Sequence, residues 1–288
     1  MSLWLMALIV GAAAAIAVWI MYAIRRRSRV DYFFVEVERG AGTFAFIGTA
    51  YAVLLAFVVL EAFESFNDAK TGAEEEATTV VELSRTAGFF SPAERAPIEG
   101  SLICYGRAVI NEEWPAMKQG ARSPIVQGWV NRLEDDLKRL HPSTPAQQAA
   151  FLQLLQQQDQ RTDARRARLT EANRALPAPV WFILGVGAIV TIGFALLFTD
   201  RREYFIVQGS LIAAITGMVV AGLLLVWFLD HPYQNSSGSI KPDEMERQLV
   251  IVEAEQASAP QLCDTQGHPV SGPAAALRPA RSQWIPAE

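Results

Sequence analysis

The sequence has 288 residues, with 25 Lys and Arg against 30 Asp and Glu, a formal charge of −5 and 51% hydrophobic side chains. Four segments, Ser2 to Ile24, Ala41 to Leu60, Val180 to Phe198 and Phe205 to Leu229, contain no Lys, Arg, Asp or Glu. Each is close to the ~20 apolar residues a helix needs to cross ~30 Å of hydrocarbon, which excludes a purely soluble protein, and the acidic balance without a broad basic face excludes a nucleic-acid partner.

The first apolar segment reads as a retained span. A secretion signal carries its positive charge before the apolar run, whereas here Met1 to Met6 has none and Arg25, Arg26, Arg27 and Arg29 follow it. Under the positive-inside rule that short connection, with Arg39, is cytoplasmic, as is the other short connection with Arg201 and Arg202. The amino terminus, the long segment from Glu61 to Pro179 and the carboxyl tail are then expected outside the cytoplasm. Trp4, Trp181 and Trp227 near the outer span ends, and Trp19 with Tyr22 near the inner end of the first, suit amphipathic rings at headgroup level. Trp114 and Trp129 lie away from the spans and are expected to pack in a core.

The second span is expected to continue as one rod from about Gly42 to about Thr86, because no proline interrupts Leu60 to Ala87. At about 100° per residue its faces differ. Glu61, Glu64, Asp68, Glu75 and Glu82 fall on one stripe, and Ala62, Phe66, Ala69, Ala73, Ala77 and Val80 fall nearly opposite. Traced back into the bilayer, the acidic stripe reaches Phe57, Ala50 and Phe46. Phe46, Ala50, Phe57, Glu61, Glu64 and Asp68 therefore form a candidate pore or vestibule face. The plainer account has Glu61 at the membrane edge, reaching water.

Beyond the rod, proline signals divide the chain into helices. Ser91-Pro92-Ala93-Glu94 has the form of a capping box with proline in the first turn. The helix it opens carries Ile98, Leu102, Tyr105 and Val109 inward and is expected to stop before Pro115. Val126, Trp129, Leu133, Leu137 and Leu140 mark a second helix ending before Pro142, and Thr144-Pro145 caps a Gln-rich third running toward Ala175. In the fourth span Gly209, Ala213, Gly217 and Ala221 form a small-residue seam for close helix packing, and Gly185, Gly187 and Gly193 of the third are suited to the same end. The expected fold is all-α. Transmembrane helices one and two occupy 1–60, a helical bundle 61–177, helices three and four 178–230, and a tail 231–288 that is largely disordered after about 253.

Catalytic chemistry is sparse. The three histidines, His141, His231 and His268, each precede a proline, which pushes them out of helical geometry. No zinc-ligand pair or phosphate loop occurs, and Glu74, Glu75 and Glu76 point in different directions on a helix and read as a solvated charge run. No catalytic residue, metal site or cofactor is assigned, and the chain is not expected to be an enzyme. Cys104 and Cys263 lie on the same side of the membrane, since two spans separate them. Two free thiols and a disulfide are both open.

The run Phe66-Asn67-Asp68-Ala69, then Glu75-Glu76-Ala77, Leu83-Ser84-Arg85, Pro92, Tyr105 and Glu112-Glu113-Trp114-Pro115, resembles the bacterial four-span membrane family labelled bestrophin-like, whose function is largely undefined. Arg165-Arg166-Ala167-Arg168-Leu169, Pro179-Val180-Trp181 and Leu229-Asp230-His231-Pro232-Tyr233, with Ile240 and Pro242, continue the likeness, which covers roughly Arg25 to Val250. Ser84 stands where the family usually has tyrosine, and Tyr233 where phenylalanine is usual. Bestrophins are pentameric anion channels with a pore lined by the second span, so the resemblance implies a homo-oligomer in the lipid bilayer that passes inorganic ions. The carboxylates of the candidate face favour cations instead, and the expected orientation is opposite to that of bestrophins, whose bulk is cytosolic. The alternative is a membrane-anchored envelope scaffold or interaction module without transport activity.

Overall fold

The computed structural model describes residues 2–27, 37–172, 176–199, 203–234, 236–255 and 260–270. Arg29, Arg201 and Arg202, on which part of the topology reading rests, lie outside them. Among the described residues the elements are α1 (Leu3–Arg27), α2 (Val37–Ala87), α3 (Pro92–Ala108), a π-helical turn (Val109–Glu113), α4 (Trp114–Met117), α5 (Pro124–Lys138), α6 (Pro145–Glu171), α7 (Ala178–Leu197), α8 (Phe205–Leu229) and α9 (Asp243–Glu255). The chain divides into two units, Met1–Phe66 with Arg174–Ser239 and Asn67–Asn173 with Ile240–Glu288. α2 is one helix of 51 residues that contributes to both.

The first unit is the membrane domain. α1, α2, α7 and α8 are each long and apolar enough to cross a bilayer. Tyr51, Val58 and Ala62 of α2 are buried with Leu184 and Ala188 of α7 and Val219, Val226 and Leu229 of α8. A second cluster joins Ala17 and Met21 of α1 to Ile212 of α8. The small residues act where backbones approach. A Cβ added to Gly187 would stand 2.4 Å from the Tyr51 ring, and one on Gly222 would stand 2.6 Å from Leu55. Gly209 and Gly217 of the expected seam face Met21, Val18 and Val10 of α1, whereas Gly185 and Gly193 meet nothing within 4 Å. Gly187→Leu is therefore expected to cost about 1–3 kcal/mol through overpacking, and Gly193→Leu close to nothing. Thermal midpoints of the two variants in the same detergent check this, and equal midpoints would contradict it.

Polar ties close both ends of this domain. Buried Asp230, one residue past α8, accepts the Leu176 N–H at 2.8 Å and the Trp181 Nε1–H at 3.2 Å. At the other end Arg25 donates through Nη1 to Gln208 Oε1 and through Nη2 to the Glu203 carbonyl, both at 3.0 Å. Gln208 in turn donates from Nε2 to the Phe198 carbonyl at 3.2 Å.

The second unit is a helical bundle. The Ser91 N–H donates to Glu94 Oε2 at 3.2 Å, and Thr144 and Gln147 cap each other in the same way at 3.2 and 3.3 Å. Ile98, Leu102, Tyr105 and Val109, and Val126, Trp129, Leu133, Leu137 and Leu140, are buried, as their spacing predicts. Trp114 joins them.

Three expectations change here. The helix that opens at Pro92 does not stop before Pro115: it widens into the π turn, where the Trp114 N–H bonds the Val109 carbonyl five residues back. Pro115 then sits in the first turn of α4, where a missing N–H costs nothing. The Gln-rich helix ends at Glu171, short of Ala175, which lies outside the described residues. The tail is ordered further than composition suggested. α9 continues to Glu255, and 260–270 fold into a turn bridged from Cys263 to Pro269. Cys263 is 1% exposed and joined to Cys104 by a disulfide with a Cα to Cα distance of 5.7 Å. The turn docks through the Trp129 Nε1–H, which donates to the Gly267 carbonyl at 2.7 Å. Gly267 has φ +86°, and a Cβ there would lie 2.4 Å from the Ala108 nitrogen, so only glycine fits.

Candidate functional site

α2 is sided along its length. In the membrane domain Phe46 and Phe57 are 76% and 68% exposed, and Ala50, Glu61 and Glu64 are exposed with them. Tyr51, Val58 and Ala62, on the other side of the same turns, are buried. Asp68, which belongs to the bundle, is likewise exposed on α2. Phe46, Ala50, Phe57, Glu61 and Glu64 thus lie on the side of α2 turned away from its packing against the described residues of the membrane domain. Glu61, Glu64 and Asp68 have no ion-pair partner among the described residues.

The bundle holds a second constellation, largely buried and built from charges. Arg168 of α6 donates from Nη2 to Glu76 Oε1 of α2 at 2.9 Å and to Glu113 Oε2 of the π turn at 2.6 Å. Arg165 grips Glu113 with both Nη2 and Nε, at 2.6 and 3.2 Å, and donates from Nη1 to Gln127 Oε1 at 3.0 Å. The Tyr105 hydroxyl donates to Glu76. Arg168 lies over the Trp114 ring, 5.2 Å from its centre, and Arg161 over Tyr105 at 4.7 Å. Close approach of the backbones permits this: a Cβ on Gly72 of α2 would stand 3.0 Å from the Ala164 carbonyl and 3.2 Å from the Arg168 nitrogen.

Electrostatics favours the charged forms of Glu113 and Arg168. Burial pushes the Glu113 carboxyl up, but Arg168 and Arg165 outweigh it and hold the group below the ordinary carboxylate range. Burial opposes the Arg168 charge too, and Glu76 and Glu113 more than compensate, holding it well above the usual arginine value. Burial, reinforced by the Glu76 charge, pushes the Tyr105 phenol up, so it stays a neutral donor. The carboxylates are saturated by guanidinium donors. Such an arrangement locks helices together and offers no base or nucleophile to a substrate.

The expectation of a solvated Glu74 to Glu76 run holds for Glu74 and Glu75, which are exposed, and fails for Glu76, which is completely buried. The missed signal was on α6, where Arg161, Arg165 and Arg168 recur at four and three residues on the face shared with Leu154, Ala164 and Leu169. Arginines on an inward face call for compensating negative charge, which Glu76 and Glu113 supply to Arg165 and Arg168.

A family model described as the Bestrophin-like domain matches residues 7–244. The chain belongs to the bestrophin-like family. Among solved structures, a bacterial bestrophin homologue from Klebsiella pneumoniae is 14% identical with a TM-score of 0.63, over 87% of this chain and 98% of its own. A variant of a bestrophin homologue from the same organism gives a TM-score of 0.64 at 14% identity, over 86% and 97%. A further membrane-protein structure gives 0.66 at 13% identity, over 89% and 99%. No curated protein matches the sequence. At these identities the structural likeness is one of fold. Glu76, Glu113, Arg165 and Arg168 all lie within the residues that the family model matches. The turn bearing Cys263 lies beyond the matched residues.

Proposed function

We propose that this bestrophin-like protein is an oligomeric ion channel whose pore is lined by Phe46, Ala50, Phe57, Glu61 and Glu64 of α2, with Asp68 further along the helix, and that it favours cations. The observation that carries the reading is the unpacked face of α2, which presents carboxylates at the end of an apolar run. A carboxylate facing lipid costs at least a few kcal/mol, whereas a ring of copies turning this face inward gives Glu61 and Glu64 water. Exposed rings of carboxylate select for cations. Phe46 and Phe57 supply the apolar constriction.

Two independent features support an orientation with the bundle and tail outside the cytoplasm. Arg25, Arg26 and Arg27 close α1, as the positive-inside rule requires of a cytoplasmic end. The Cys104–Cys263 disulfide belongs in an oxidising compartment. A reporter active only outside the cytoplasm, fused after Glu253, is expected to be active. A cytoplasm-only fluorescent reporter that lights up there would reverse the assignment.

Purified oligomer in planar bilayers is expected to show cation-biased conductance. In a salt gradient Glu61→Gln should move the reversal potential toward zero, while Glu74→Gln, on the solvated part of α2, should leave it in place. Silence from a verified oligomer would favour the envelope-scaffold reading, and a monomer in mild detergent would remove the pore.

A further inference from the structure

We infer that the helical bundle binds a small monovalent anion of the chloride class at Arg161. α6 turns a polar face inward, with Gln157, Gln158, Arg161, Arg165 and Arg168 all buried. Three guanidiniums on that face meet two carboxylates, Glu76 and Glu113, and Arg165 and Arg168 occupy both. The other buried carboxylates of the bundle, Glu99 and Asp136, pair with Arg95 and with Arg132 and Arg139. Arg161 is 0% exposed and has no carboxylate partner among the described residues. Its Nε donates to Gln158 Oε1 at 3.0 Å and its Nη2 to Thr162 Oγ1 at 3.3 Å.

Neutral oxygens do not balance a cation held out of water, and a buried charge without a counter-charge is strongly unfavourable. The face of Tyr105 offsets part of the cost. What remains unsatisfied has a definite polarity. Arg161 Nη1 and Gln158 Nε2 are buried and have no acceptor. The Gln158 amide orientation is set by its carbonyl accepting from Arg161 Nε, so Nε2 is the donor end. An open guanidinium donor on an unbalanced positive charge calls for an acceptor that is itself negative. Closure from solvent requires it to be compact, which favours a halide over an organic carboxylate or phosphate. Gln157 Oε1, the third unpartnered polar atom of this face, is an acceptor, suited to a water accompanying the ion.

The inference stands apart from the channel reading, because it concerns the bundle and uses no residue of the proposed pore. The full chain in detergent is to be unfolded thermally in sodium chloride and in sodium gluconate at equal ionic strength. The midpoint is expected to rise with chloride and to saturate, as it does when a ligand binds only the folded state. Arg161→Met should abolish the chloride dependence, and Arg166→Met, whose side chain is exposed and paired with Asp163 at 3.2 Å, should retain it. Equal midpoints in the two salts, or a chloride response that survives Arg161→Met, would overturn the proposal. Should Arg161→Met fail to fold, crystals of the unaltered protein grown in bromide decide: an anomalous peak against Arg161 supports the site, and water alone, or peaks only along α2, overturns it.

Discussion

Replacing Arg168 by methionine should destabilise the chain by about 3–5 kcal/mol, the cost of leaving buried carboxylates without their cation. Glu76 and Glu113 both lose a donor at once, and neither reaches water. Arg165 still holds Glu113, so Glu76, left with the Tyr105 hydroxyl, carries most of the penalty. A second change tests that attribution. Adding Glu76→Gln to Arg168→Met removes the stranded charge and should recover part of the loss, although Glu76→Gln alone is destabilising. Denaturant or thermal unfolding of the three variants in one detergent reads the cycle. Arg168→Met within about 0.5 kcal/mol of the unaltered protein, the range of an ordinary surface change, would show that the network does not hold the bundle together.

Removing the disulfide is expected to rank next. The bond joins positions 159 apart, and closing a loop of that length restricts the unfolded chain by about 5 kcal/mol in the entropic model. Contacts that survive reduction reduce what is seen. Arg107 donates to Glu253 Oε1 at 2.8 Å and to the Asp264 carbonyl at 3.2 Å, and the His268 ring lies 2.9 Å from Glu112. Reductant should lower the thermal midpoint of the unaltered protein and leave that of Cys104→Ser, already low, unmoved. Alkylation read by mass gives a direct check: no label before reduction and two after. Two labels without reductant would mean that the thiols are not joined.

How far the sequence could be read followed the range of the interactions involved. Spans, the continuous α2 and the inward faces of α3 and α5 rest on local periodicity, and Ile98 to Val109 and Val126 to Leu140 lie where their spacing puts them. The exposed face of α2 was readable for the same reason. The burial of Glu76 was not, because it depends on Arg168, ninety-two residues away in sequence. The π turn escaped notice since proline at 115 ordinarily ends a helix, and nothing local announces a wider ring. Composition failed for 260–270 because a covalent bond and one indole donor order a segment that has little core of its own.

The Cys104–Cys263 bond also imposes an order of events on biosynthesis. Between the two cysteines the chain contains both α7 and α8, so Cys263 leaves the ribosome after the last hairpin has been made. The partners meet only when that hairpin has crossed the bilayer in both directions and returned the tail to the side of Cys104. Oxidation of this pair therefore marks a chain whose insertion is complete, and a molecule stalled with one crossing missing keeps two reduced thiols on opposite sides of the membrane. Once closed, the covalent ring encloses both crossings, and a protease that nicks the connection between α5 and α6 leaves the pieces joined until a reductant separates them.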